Sequence, residues 1–209
     1  MEPFPKMCWT TSLNTEHQES SLEVATAWMH NAQQQAQAAG TVVLAYKNMA
    51  DRRLGPLGGF STVSPRSKNG SRGGPTVVVW PPDGNTLSLA SRDYTLVLQG
   101  RFDLRGWIEQ YEATPLFDHD TIEPLSLSPE VIEMLERQAY WGGSNGFHGA
   151  GDKKTMIECL RKIHADHPNV SSKEIEQQLL SSVYVGAEAA KRAATWHTEI
   201  QEGKKHRTR

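Results

Sequence analysis

Apolar and polar positions along the 209-residue chain change rhythm twice. Ala25, Trp28, Met29, Ala32, Ala36 and Ala39 recur at helical spacing, the mark of one buried helix face. Ser20 followed by Glu23 reads as a capping box that satisfies free amides at the helix start, and Gly40 as its stop. The rhythm then shortens. "TVVLAY" (41–46), "TVVVW" (76–80) and "YTLVLQ" (94–99) are unbroken apolar, β-branched runs, expected where strands are covered on both faces, as in a parallel sheet. Between the last two, Asp83 or Asn85 caps a short helix reaching Ser91. Asp103 caps another, with Leu104, Trp107, Ile108 and Tyr111 on one face. "TPLF" (114–117) predicts a fourth strand, which Pro115, lacking an amide hydrogen, confines to an edge or a strand start. Helices alternating with such strands predict a small, mostly parallel α/β sheet with crossover helices, Rossmann-like in layout.

Past "DHDTIEPLSLSP" every pattern is helical. Ser128-Pro129-Glu130 supplies a cap, a proline at the first helical position and an acid suited to the helix dipole. Val131, Ile132, Leu135 and Ala139 form the inward face. Met156, Ile157, Leu160 and Ile163 do the same for a helix over 152–166, and a capping box, Ser171 to Glu174, opens a third over 172–183. A fourth spans 187–202. The organisation expected is a flexible arm at 1–19, an α/β domain at 20–124, an all-α domain at 125–203 and a basic tail at 204–209. No internal repeat is visible.

Residues 47–75 interrupt the first domain with six glycines and six Lys/Arg against the single acid Asp51. Lacking a period, they read as a long mobile loop, and a loop of that length in a compact domain is functional or disordered.

Composition adds exclusions. At 37% hydrophobic and 22% charged residues with net charge −2, the chain is an ordinary globular one. Residues 1–125 carry 10 Lys/Arg against 13 Asp/Glu and residues 126–209 carry 12 against 11, so neither half is basic enough to declare a nucleic-acid protein. No apolar run approaches the roughly 18 residues a membrane helix needs, and the start has no signal-peptide pattern. The two cysteines, Cys8 (placed in the loose arm) and Cys159, do not read as a disulfide pair. A reducing, cytoplasmic setting is expected, with no membrane partner.

Five constellations are candidates for chemistry. Arg52, Arg53, Arg66, Lys68 and Arg72 in the loop, with Lys204 and Lys205 in the tail, form a set able to contact phosphates of nucleic acid or another partner. Asp118 and Asp120, with Glu123 nearby and Asp83 as a further strand-end acid, lie where open α/β sheets bind ligands, and an Asp-x-Asp pair suits Mg²⁺. "GGSNGFHGAGDKKT" (142–155) places glycines before a helix, but no strand precedes it and Asp152 fills the anion position, so it reads as a helix–helix joint. Cys159, His164, His167 and His148 lack zinc spacing, since Cys159 and His164 point about 140° apart on one helix. The helix pair 172–200 resembles a helix-turn-helix in outline, yet its alanine-rich face reads as bundle core.

The chain is therefore expected to be a non-enzymatic interaction or regulatory protein, contacting nucleic acid, another phosphate-bearing partner or a protein, with no cofactor and no metal. The alternative is a metal-dependent, phosphate-handling enzyme of the nuclease or phosphatase class, with Asp118 and Asp120 holding Mg²⁺ and Asp83 in support.

Overall fold

The computed structural model describes residues 4–11, 18–45, 54–66, 73–100, 102–117 and 120–206. Six parallel strands form one sheet: β1 (Met7–Thr11), β2 (Thr41–Leu44), β3 (Ser61–Val63), β4 (Thr76–Val79), β5 (Thr95–Gln99) and β6 (Thr114–Pro115), in the order β3-β2-β4-β5-β1-β6. The register aligns Val42, Val77, Leu96 and Cys8 in one row across the sheet. Their neighbours Val43, Val78, Val97 and Trp9 project to the other face, as strand alternation requires. Both rows are buried, which is why these strands are apolar at those positions. Helix α1 (Gln18–Ala36) lays Leu22, Ala25, Met29 and Ala32 into the first of these faces. It ends at Gln37, whose φ of 50° leaves the helical region.

Two expectations for this half are corrected. The supposed flexible arm contains β1, an internal strand. Cys8 is fully buried there, and Trp9 is nearly so. "MCWTT" carries its apolar content in Cys and Trp, and its β-branching in two threonines, so it lacks the Val/Leu signature of the other strands. The supposed mobile loop 47–75 holds a 3-10 turn, Gly55–Gly59, and the edge strand β3. Leu54 and Leu57 from this segment are buried in the core. A three-residue edge strand is too short to display a period. A smaller correction concerns α1, which already runs from Gln18, so Ser20 lies inside the helix and not at its cap.

The remaining helices are α2 (Gly84–Leu87), α3 (Arg105–Tyr111), α4 (Pro129–Gly142), α5 (Ala150–Asp166), α6 (Ser172–Leu180) and α7 (Ala187–Gln201), with a 3-10 turn at Gly143–Asn145. Their starts follow the local chemistry. Asp83 caps α2, Ser128 caps α4 ahead of Pro129, and Ser171 with Glu174 forms a complete capping box on α6. Two compact units result: Met1–Asp103 with Tyr111–Thr121, and Leu104–Gln110 with Ile122–Arg209. The segment Leu104–Gln110, which its sequence position assigns to the sheet half, is counted with the helices. The amide of Gly106 donates to buried Gln177 Oε1 at 3.1 Å, and only a residue without a Cβ fits against the Gln177 carbonyl. No helix among the described residues is long and apolar enough to cross a membrane.

Candidate functional site: an aromatic surface on the helical unit

The strand-end acids are held by the protein itself. Asp120 is 3% exposed. The Thr11 amide and hydroxyl donate to its Oδ1 at 2.8 and 2.6 Å, and the Phe117 amide donates to its Oδ2 at 3.3 Å. Asp83 Oδ1 accepts the amide and hydroxyl of Thr86, both at 2.9 Å. These two acids follow β6 and β4, and the hydrogen bonds of Asp120 tie it to the end of β1. β4 and β1 are separated by β5, about 10 Å in strand spacing. Asp118 lies outside the described residues. Among the described residues, no group of three or more His, Cys, Asp or Glu could hold a metal ion.

The basic set is described only in part. Arg66 is exposed in the turn after β3, while Arg52, Arg53, Lys68 and Arg72 lie outside the described residues. Lys204 is exposed and pairs with Glu202 at 2.8 Å, which raises its pKa. Lys205 is exposed. The first residues of the tail are tied back onto the helices: the Lys204 amide donates to the Glu199 carbonyl, His206 Nε2 lies 3.4 Å from Glu199, and Arg161 donates to the His206 carbonyl at 3.2 Å.

The Cys/His set also separates. The Cys159 thiol donates to the Met134 carbonyl at 3.8 Å, and His167 sits 3.5 Å from Glu130. Burial pushes the thiols of Cys8 and Cys159 up to about 11, so neither is a thiolate at neutral pH. His164 packs edge-on against His197, ring centroids 6.3 Å apart. His197 is fully buried. Burial first, and His164 second, lower its pKa to about 4. Its Nδ1 lies 3.0 Å from Ser172 Oγ. That serine hydroxyl also meets Thr198 and Gln201, and an imidazole of such low basicity is a poor general base at neutral pH. The pair is a tie between α6 and α7.

The glycine stretch is a joint, and it builds a surface. Asp152 accepts from the Asn145 side-chain amide at 2.6 Å, Lys153 lies over the Trp196 ring and Lys154 pairs with Glu158. A Cβ on Gly143 would stand 2.7 Å from the Val185 side chain and 2.9 Å from the Tyr184 carbonyl. Glycine thus admits the turn between α6 and α7 to the end of α4. Buried Phe147, at φ 59°, and Gly146, at φ 69°, reverse the chain, and Arg192 donates to the Gly146 carbonyl.

On α4 the buried face is Val131, Leu135 and Ala139. Tyr140 and Trp141 come about 100° and 200° further round and point outward. Across the joint stand Val183 and Tyr184. The Tyr140 ring meets Trp141 at 5.2 Å and Tyr184 at 5.5 Å, both at 85°. These are contact distances for edge-to-face pairs, leaving no slot between rings for a small ligand. The result is one continuous surface. Tyr140, Trp141, Val183 and Tyr184 are 58, 71, 74 and 47% exposed, and they are the exposed large hydrophobics of the described chain. Together they present on the order of 500 Å², at the upper end of what a monomer usually shows and in the range where patches tend to be functional.

Sequence reasoning missed this site. Tyr140 and Trp141 fall off the inward stripe, and that signal was readable. Nothing local announced that Tyr184 would arrive beside them. Comparison of the chain with protein-family models, with curated proteins and with solved structures finds no match.

Proposed function

We propose that this protein is a non-catalytic recognition protein that binds a polypeptide partner through the Tyr140–Trp141–Val183–Tyr184 surface. The observation that carries the reading is the contact of the exposed Tyr140 ring with two other exposed rings, Trp141 and Tyr184. Tyrosine and tryptophan dominate the centres of protein interfaces, because they bury much area at little rotamer cost. A reducing, cytoplasmic setting belongs to the proposal, supported by two buried, unpaired cysteines.

The test is to pan a random-peptide display library against the immobilised full chain. Peptides bearing aromatic or large aliphatic anchors are expected. They should bind Tyr184→Ser and Tyr140→Ser variants at least about tenfold more weakly in a titration. Enriched peptides that bind both variants as well as wild type, or no enrichment at all, would sink the reading. An oligonucleotide titrated at low salt serves as the competing arm: tight binding there, with no peptide enriched, would return the function to phosphate contact.

A further inference from the structure

Beside Trp141 runs an open groove of about 700 Å³ between α4 and α5. Its walls run beside the buried faces of these helices, with buried Cys159 at the border. Met134, Gln138 and Trp141 on α4, and Gly151, Thr155 and Cys159 on α5, line it. These residues recur at spacings of three and four, the period of a helix-bundle seam. At these six positions the α4 side chains are large and the α5 side chains small, while Arg137 on α4 and Asp152, Glu158 and Lys162 on α5 add charge to the walls.

Heights along the groove follow from contacts across it. The Cβ position of Gly142 is 3.0 Å from the Cβ of Asp152, so these residues are level, and each residue away from them adds about 1.5 Å. Measured downward from the joint, Met134 stands at about 12 Å and Cys159 at about 10.5 Å, Gln138 at about 6 Å and Thr155 at about 4.5 Å. Trp141 stands about 1.5 Å below the reference and Gly151 about 1.5 Å above it. Each large residue is therefore nearly level with a small one on the opposite wall. Charge repeats the pattern, with Arg137 at about 7.5 Å on α4 and Glu158 at about 9 Å on α5. The Glu130–Lys162 pair already spans the two helices at 3.6 Å, with Glu130 about 3 Å below Lys162 on the same scale.

We infer that the occupant of this groove is a second copy of this chain, placed by a two-fold axis parallel to the helices so that α4 of each copy packs against α5 of the other. The inference rests on the recognition reading above and names the partner of its Trp141 side. About that axis the large wall meets the small wall at all three levels, twice over. Trp141 enters the space above Gly151, where nothing lies within 4 Å of a would-be Cβ. Arg137 faces Glu158 in both halves. A two-fold perpendicular to the helices would instead oppose large to large, and Arg137 to itself. Complementary features on one face are what an isologous dimer requires, and all neighbouring helices would then run antiparallel, as in a four-helix bundle. Trp141, 71% exposed, is the residue of the aromatic surface that also lines the groove, and the rest of the roughly 800 Å² per partner that a standard interface needs would come from the other groove walls.

Sedimentation velocity on the full chain from about 1 to 100 µM tests it. Wild type should shift from monomer to dimer across this range. Trp141→Ala and Gly151→Leu should stay monomeric with an unchanged far-UV spectrum and melting curve. Arg137→Glu should weaken the dimer about tenfold or more, and combining it with Glu158→Arg should return the affinity to within about threefold of wild type. A wild type that stays monomeric at the top of the range overturns the inference, as does a dimer indifferent to Gly151→Leu or a charge swap without recovery. A monomer whose selected peptides still depend on Tyr184 removes the dimer and leaves the recognition reading standing.

Discussion

Asp120 and Trp141 stand at opposite ends of one scale. The aspartate, beyond the last strand, is 3% exposed and accepts three hydrogen bonds. The tryptophan, on the last turn of α4, is 71% exposed and touches one other ring. By residue type the roles should be reversed, since carboxylates favour water and indoles favour the core. A buried carboxylate saturated by protein donors is holding two segments together, here β1 and the chain after β6. An indole left in water, in contact with another exposed ring, is what singles out this surface as the one proposed to meet a partner. In the sheet unit Asp83 and Asp120 serve the fold, whereas in the helical unit side chains that promised packing face outward.

That contrast can be broken by measurement. The largest effect is expected at Asp120→Ala, which strands the Thr11 amide and hydroxyl and the Phe117 amide: a loss of about 4 kcal/mol in urea unfolding. A loss under about 1 kcal/mol would return the acid to the list of groups available for a ligand.

Next comes the buried imidazole of the helical unit. His197 has a folded pKa of about 4 against an ordinary 6.5, so the folded state refuses a proton that the unfolded chain accepts. Stability is fully present above pH 6.5 and is lost as pH falls from there toward 4, reaching a deficit of about 3 kcal/mol. Urea midpoints measured from pH 7 to 4 should show a steeper fall for wild type than for His197→Asn. Parallel curves would mean that the ring takes up its proton in the folded state.

The smallest effect on stability is expected where the effect on binding is greatest. Tyr184→Ser should change the unfolding free energy by less than about 0.5 kcal/mol, as exposed positions do. Leu135→Ala on the buried face of α4 should cost about 3 kcal/mol. Equal losses at the two sites would mean that the aromatic surface is part of the core.

Strands β2, β4 and β5 were legible because parallel strands buried on both faces must be apolar at every position, and Val42 to Leu44, Val77 to Val79 and Leu96 to Leu98 are. The capped helices were legible because Ser128 and Ser171 satisfy their own first turns within three residues. β1 was not legible. Its burial comes from the strands on either side of it, β5 and β6, which lie more than 80 residues away in the chain, and "MCWTT" carries no local sign of them. The candidate acids were legible as acids, but their employment was not: whether Asp120 faces water or Thr11 depends on a contact spanning 109 positions.

Local sequence, then, determined the elements other than β1 and β3, since period, caps and turn glycines act within a few residues of backbone. It also determined that residues 142–151 are a joint, because Asp152 occupies the helix start and no strand precedes it. Tertiary structure alone decided what that joint is for. Gly143 lacks a side chain so that the backbone at Tyr184 can lie against it. That approach, between segments 41 residues apart, is what turns three separate aromatic rings into one surface.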